Sequence, residues 1–224
     1  FVSKEYVVIV HDGTLIQIDR IFSLCQKTLR NRTEYMGKGA VFLAYKIIDA
    51  LVDDCFPVIN ELTSTIDRID KELEDKQSQK TLEDISATRR NLVVFHTMIK
   101  PIIPLFTQLE KGIHKELNGT MQSFWGNILD HLQKILDRTE DNQELIEGIS
   151  ESNESLLSEK TNKIIKVLTI FSAIILPLNL LASIYGMNLK LPFADDPFMF
   201  GKLILVMICT TALMLIAFML KKWF

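Results

Sequence analysis

Two uncharged or nearly uncharged stretches near the C-terminus constrain this chain more than anything else in it. From Ile164 to Tyr185, 22 residues carry one charge, Lys166; from Leu203 to Leu220, 18 residues carry none. About 20 apolar residues in helical form cross the hydrocarbon core of a bilayer. Lying at the end of the chain, they are not a cleavable leader. A chain that is 48% hydrophobic yet 24% charged therefore divides into a water-soluble part and two membrane spans. The loop joining them is short, so their outer ends share one side. Lys160, Lys163 and Lys166 precede the first span and Lys221 and Lys222 follow the second. The positive-inside bias places both termini in the cytoplasm and residues 186–202 outside, the orientation expected of a multi-pass protein of the inner (plasma) membrane.

Cys25, Cys55 and Cys209 have no metal-binding spacing, and an odd scattered set suits a reducing compartment. His11, His96, His114 and His131 form no HExxH, and neither a P-loop nor a nucleophile motif occurs. The residues point away from an enzyme with an organic cofactor. The net charge of −3 and the lack of a basic patch point away from nucleic acid.

The soluble part begins with Tyr6–Val10 and Thr14–Ile18 flanking His11-Asp12-Gly13, a pattern that predicts a β-hairpin. A lone hairpin is marginal in water and no initiator Met precedes it. Residues 1–38 are therefore expected to end a larger α/β cytoplasmic domain, with Asp19 capping a helix to about Arg30. Helix dominates afterwards. Residues 39–119 read as an antiparallel hairpin. One arm carries Ile48, Leu51, Cys55, Val58, Leu62, Ile66, Ile69 and Leu73, bent at Pro57; a polar turn follows over Asp75–Thr81. The other arm carries Leu82, Ile85, Leu92, Phe95, Ile99, Ile102 and Phe106 and breaks near Pro101 and Pro104. Between Asp49 and Asp84 eleven acids face four bases. A solvated helix face and a cation-gathering surface both account for that excess.

No proline lies between Pro104 and Pro177. Residues 120–163 form a stalk predicted to continue unbroken into the first span, 164–185, as a helix of roughly 100 Å. Its stripe runs through Met121, Trp125, Ile128, Leu132, Ile135, Thr139, Asn142, Ile146, Ile149, Asn153 and Leu156. Steps of three and four predict packing against copies of itself. Higher up, Asn162, Ile165, Leu168, Thr169, Ser172, Leu176 and Asn179 share a face. An amide such as Asn179 in hydrocarbon needs a partner or water. One solution is an interhelical hydrogen bond; the other is a wet pore ringed by several copies, with greasy rings that gate by dewetting. Pro177 frees the carbonyl of Ala173 as a further oxygen. Gly186-Met187-Asn188 then closes the helix. On the residues alone it is either a plain C-cap or a ring of neutral oxygens suited to hydrated Mg²⁺. The second span, 203–220, and a basic tail, 221–224, complete the chain.

The stretch TNKIIKVLTIFSAIILPLNLLASIYGMN, followed by a second span and KKWF, resembles the CorA family of divalent cation channels. Tyr-Gly-Met-Asn in this place is a specific marker of that family. The resemblance is dense from Lys160 to Asn188 and extends more thinly to the N-terminus. It implies a homopentameric funnel in the lipid bilayer that passes Mg²⁺, and often Co²⁺ or Ni²⁺, down its gradient. It assigns Gly186, Met187 and Asn188 to the selectivity filter. The pore-lining positions become Asn162, Ile165, Leu168, Thr169, Ser172, Leu176 and Asn179, with Asn188 and Asn179 meeting the hydrated ion. Asn179 stands where relatives commonly have Thr. The loop LKLPFADDP departs from the family's usual form, and Asp195 and Asp196 are either cation attractors or an ordinary turn. Some members bind regulatory Mg²⁺ through an Asp three residues before an Asp-His pair. Here the pair is Asp130-His131 and the earlier residue is Asn127, a neutral amide that weakens such a site. Inhibition by cytoplasmic Mg²⁺ is still expected. The intact motif favours Mg²⁺ over a Zn²⁺, Co²⁺ or Ni²⁺ transporter; a non-conducting tethered scaffold or sensor is the rival of another class.

Overall fold

The computed structural model describes residues 1–75, 79–114, 117, 120–188 and 198–221. Eight named α-helices run in the order α1 (Ile16–Lys27), α2 (Leu29–Met36), α3 (Ala40–Asp53), α4 (Cys55–Asp75), α5 (Gln79–Ile99), α6 (Ile103–Glu110), α7 (Gln122–Tyr185) and α8 (Met199–Leu220). A 3₁₀ turn, Lys100–Ile102, joins α5 to α6. The chain divides into two compact units, Phe1–Ser152 and Asn153–Phe224.

The expected N-terminal hairpin does not form. Among the described residues the strand content is one isolated antiparallel bridge, Val2 to Val7, and Thr14–Ile18 runs instead into α1. Burial decides this: Ile21 and Cys25 of α1 pack with Ile47 of α3, and Ile18 lies against them. A helix presents those three positions on one face, whereas a strand would send neighbours to opposite sides. Asp19 lies in the first turn of α1 rather than before it, where its charge still suits the helix dipole. His11-Asp12-Gly13 does turn the chain. The Gly13 amide donates to His11 Nδ1 and the Thr14 amide and hydroxyl both donate to Asp12 Oδ1. Those two bonds pull the Asp12 carboxyl below its ordinary pKa, the hydroxyl's first.

Between α1 and α3, Thr28 caps α2 through its hydroxyl, which accepts from the Asn31 amide. Gly39, at φ 96°, opens α3 in a conformation other residues resist. The break in the first hairpin arm comes at Asp54, between α3 and α4, and not at Pro57. Pro57 occupies the first turn of α4, where its missing N–H costs no helical bond. The break between α5 and α6 falls at Pro101, as the prolines predict. Part of the polar turn expected over Asp75–Thr81 lies outside the described residues, and α5 has begun by Gln79.

The core of the first unit is a three-helix seam. Buried or half-buried positions recur at Cys55, Ile59, Leu62, Ile66, Ile69 and Leu73 on α4, and at Thr81, Ile85, Thr88, Leu92, Phe95 and Ile99 on α5. On α7 they recur at Ile128, Leu132, Ile135, Thr139, Asn142, Ile146 and Ile149. Each series steps by four and three, the spacing that keeps an apolar stripe facing neighbouring helices. The stripe on α7 was expected to meet other copies of the chain. Over Ile128–Ile149 it is instead occupied from within: Ile128, Leu132 and Ile135 pack with α3 and α6, and Ile146 packs with α4 and α5. The spacing was read correctly, but an intramolecular hairpin satisfies it as well as a second copy would. A third stretch, Lys80–Glu110, is also long and apolar enough to cross a membrane by composition. Its Ile85, Leu92, Ile99, Phe106 and Leu109 are already buried in the two clusters, so it serves as core.

In the second unit the upper part of α7 and all of α8 have the length and composition of membrane spans. The long helix is uninterrupted over 64 residues, Pro177 included. The second span starts at Met199, earlier than charge alone predicted.

Candidate functional site

The seven residues expected to line an ion path share one side of α7. Asn162, Ile165, Leu168, Thr169, Ser172, Leu176 and Asn179 are all exposed in the single chain, whereas Ile170, Ala173, Ile174, Pro177, Leu178 and Leu181 are shielded. Polar and greasy side chains therefore alternate along that side; Ile164, Val167, Phe171 and Leu180 elsewhere on the helix are exposed as well. The Thr169 hydroxyl donates to the Ile165 carbonyl at 2.8 Å. That bond keeps the hydroxyl from being an orphan in an apolar surround.

At the end of α7 the Gly186 amide donates to the Ala182 carbonyl at 2.9 Å and the Met187 amide to Ile184 at 3.4 Å. Gly186 is not in the left-handed region, so what a side chain would meet there is a matter of space rather than of backbone freedom. A Cβ there would lie 3.1 Å from the Ala182 oxygen. Those two terminal carbonyls are occupied rather than freed, which leaves side chains to offer polar atoms at this end of the helix. Met187 and Asn188 are exposed. Asp195 and Asp196 lie outside the described residues.

A second constellation sits in the first unit, where α3 and α7 run side by side in parallel. Tyr45, Asp49 and Asp53 are one helical turn apart on α3, and Phe124, Asn127 and His131 climb α7 beside them. The Tyr45 and Phe124 rings lie 5.0 Å apart. Asn127 Nδ2 donates to Asp49 Oδ1 at 3.2 Å. His131 Nδ1 lies 3.0 Å from Asp53 Oδ1, but off the hydrogen-bonding direction, so it stays buried without a partner. One ligand atom each from Asp49, Asp53 and His131 lies within 4.8 Å of the others. Two carboxylate oxygens and an imidazole nitrogen at that separation are donors a divalent cation takes. Burial, the Asp49 charge and a hydrogen bond to Asp49 push the Tyr45 hydroxyl above its ordinary pKa.

Asn127 thus falls in this constellation and Asp130 does not. Asp130 points to its own helix neighbour Lys134, 2.6 Å away, whose hydrogen bond and charge lower its pKa. The motif reading named Asp130 of the Asp-His pair; its neighbour His131 is the residue beside Asp49 and Asp53. Asp49 and Asp53 were visible only as members of an acidic excess. Their i, i+4 spacing on an apolar helix was the signal for a shared face.

A family profile described as CorA-like Mg2+ transporter protein matches residues 1–222. The chain belongs to the CorA family. Among its CorA relatives, the cobalt/magnesium transport protein of Thermotoga maritima is 29% identical over 209 residues, 92% of this chain and 60% of that one. The corresponding protein of Methanocaldococcus jannaschii is 23% identical, aligned over 100% of this chain and 70% of its own length. The solved CorA magnesium transporter of Methanocaldococcus jannaschii superposes with a TM-score of 0.81 at 20% identity, covering 96% of this chain and 67% of that one. Full-length CmaX superposes at 0.65, with 19% identity. At such identities the superpositions speak for the CorA fold: the long helix with a second span behind it. This CorA chain spans three-fifths of its Thermotoga relative.

Proposed function

We propose that this chain forms the stalk, spans and filter of a homopentameric channel through which Mg²⁺ passes down its gradient, largely hydrated. The observation that carries the reading is the placement of Gly186-Met187-Asn188 at the end of a membrane helix whose open side carries the polar and greasy stations. Copies arranged around an axis turn that side inward. Rings of Asn188 meet the ion at the outer mouth, and Asn179, Ser172, Thr169 and Asn162 offer neutral oxygens below. Neutral oxygens suit an ion that gives up its water reluctantly. Ile165, Leu168 and Leu176 form the constrictions that shut by dewetting. Residues 186–202 face outward and both ends of the chain inward.

Cytoplasmic Mg²⁺ inhibits opening through Asp49, Asp53 and His131, the α3–α7 cluster, in place of Asp130. The imidazole donor also admits Co²⁺, Ni²⁺ or Zn²⁺.

The test is Mg²⁺ influx into proteoliposomes holding the full-length protein, wild type against Asn188→Ala, each confirmed as an intact oligomer. Influx abolished by the substitution supports the filter. Unchanged influx moves selection elsewhere, and wild-type flux of Zn²⁺ or Co²⁺ without Mg²⁺ overturns the cargo. No flux of any divalent cation returns the chain to a tethered scaffold.

A further inference from the structure

At the α3–α7 junction, charge makes a difficulty that the side chains have answered. Asp49 and Asp53 bring two carboxylates to one place, beside His131. Like charges this close repel, and an unmatched half-buried carboxylate loses hydration. Asp49 is nevertheless satisfied. Its Oδ1 accepts from Asn127 Nδ2 at 3.2 Å. Tyr45, one turn before Asp49, is fixed in the core, buried against Phe42, Phe124 and Trp125. The donor and its acceptor come from opposite sides of the junction, one from each helix. One turn further, His131 and Asp53 approach without bonding.

We propose that the Asn127 amide does at Asp49 what a bound cation would otherwise do, so that α3 closes on α7 whether or not a divalent ion is present. The amide donates to the carboxylate and adds no charge. A carboxylate at position 127 would instead put a third negative group into the cluster and make closure depend on a cation. A divalent ion in this chain sits against Asp53 and His131 as well as Asp49, and adds to a junction already shut. The closure stands independently of what the chain transports. Its dependence on ions rests on the reading of the cluster as a cation site.

Hydrogen exchange of the full chain in detergent, with EDTA or millimolar Mg²⁺, tests it on peptides covering 40–53 and 122–132. Local opening sets the exchange rate there. The wild type is expected to exchange alike in both conditions. Asn127→Asp is expected to exchange about tenfold faster in EDTA and to recover in Mg²⁺, as linkage requires of an ion that binds the closed form. Asn127→Leu is expected to exchange several-fold faster in both. Wild-type protection that collapses in EDTA overturns the proposal, as does wild-type behaviour of either variant in EDTA. An Asn127→Asp protein that loosens but ignores Mg²⁺ upholds the amide closure and sinks the regulatory cation site.

Discussion

Asn142 Nδ2 donates to Thr63 Oγ1 at 2.8 Å, joining α7 to α4 across 79 residues of chain. The pair lies between two apolar clusters. Ile128, Leu132 and Ile135 end one of them and Ile146 begins the other on α7. Asn142 is almost wholly buried, and Thr139 beside it turns its hydroxyl back to the Ile135 carbonyl. A polar layer in an apolar seam penalises every other register, because a slipped Asn142 would meet Ile59 or Ile66 unpaired.

Asn142→Leu or Thr63→Val alone is therefore expected to cost about 1–3 kcal/mol by leaving the other side chain short of a partner, while the two together return close to wild type. Thermal unfolding of the four proteins in one detergent gives the coupling as a double-mutant cycle. A double variant as unstable as the sum of the singles would deny the pairing.

Leu132 is buried among α3, α6 and α7 residues, and Leu132→Ala should cost about 2–5 kcal/mol, transfer plus cavity. Arg68 bonds Glu72 and Asp84 at 2.8 and 3.1 Å on an open surface. Arg68→Ala should leave the melting temperature nearly unchanged, because water and salt screen exposed pairs. Melting temperatures measured side by side check both; equal shifts would mean the seam is not the source of stability.

If the greasy stations on α7 shut the path, Leu168→Ser wets one of them and raises resting Mg²⁺ influx several-fold with Asn188 intact. Stopped-flow dye measurements on proteoliposomes read this directly. Influx no higher than wild type would place the constriction at Ile165 or Leu176.

Tyr45 gives an alkaline prediction. Its folded pKa is raised, so the folded state holds the proton more tightly than the unfolded one. The contribution is complete below the ordinary tyrosine pKa of about 10 and is lost as pH rises through the folded value. Melting temperature should fall more steeply above about pH 10 in wild type than in Tyr45→Phe. Parallel curves would remove Tyr45 from the balance.

The membrane half of the chain was legible because bilayer thickness and charge leave little choice over Ile164–Tyr185 and Leu203–Leu220. The unbroken α7 was legible for a similar reason: nothing between Pro104 and Pro177 stops a helix. The N-terminus was not. Tyr6–Val10 is apolar enough for a strand, but a strand exists only with a partner, and the residues chosen as partner were claimed by α3 through Ile18, Ile21 and Cys25. The α7 seam shows the same limit. Spacing reveals that a stripe is covered, not by which chain. The constellation between α3 and α7 escaped because its two halves lie 78 residues apart in sequence, as Asp49 and Asn127 do. Only the parallel run of α3 and α7 aligns Tyr45, Asp49 and Asp53 with Phe124, Asn127 and His131.

The seam shared by α4, α5 and α7 also restricts how this chain can change its length. Adding one residue within α4 turns everything beyond it by about 100°, carrying Thr65 and Arg68 inward and Ile66 and Ile69 out. Seven residues make nearly two whole turns and restore every contact. An arm of this hairpin can therefore grow or shrink in blocks of seven, and only if the other arm and the stalk beside it change by the same block. Single insertions belong in the connections, so relatives that differ in reach should differ in whole heptads counted three times over.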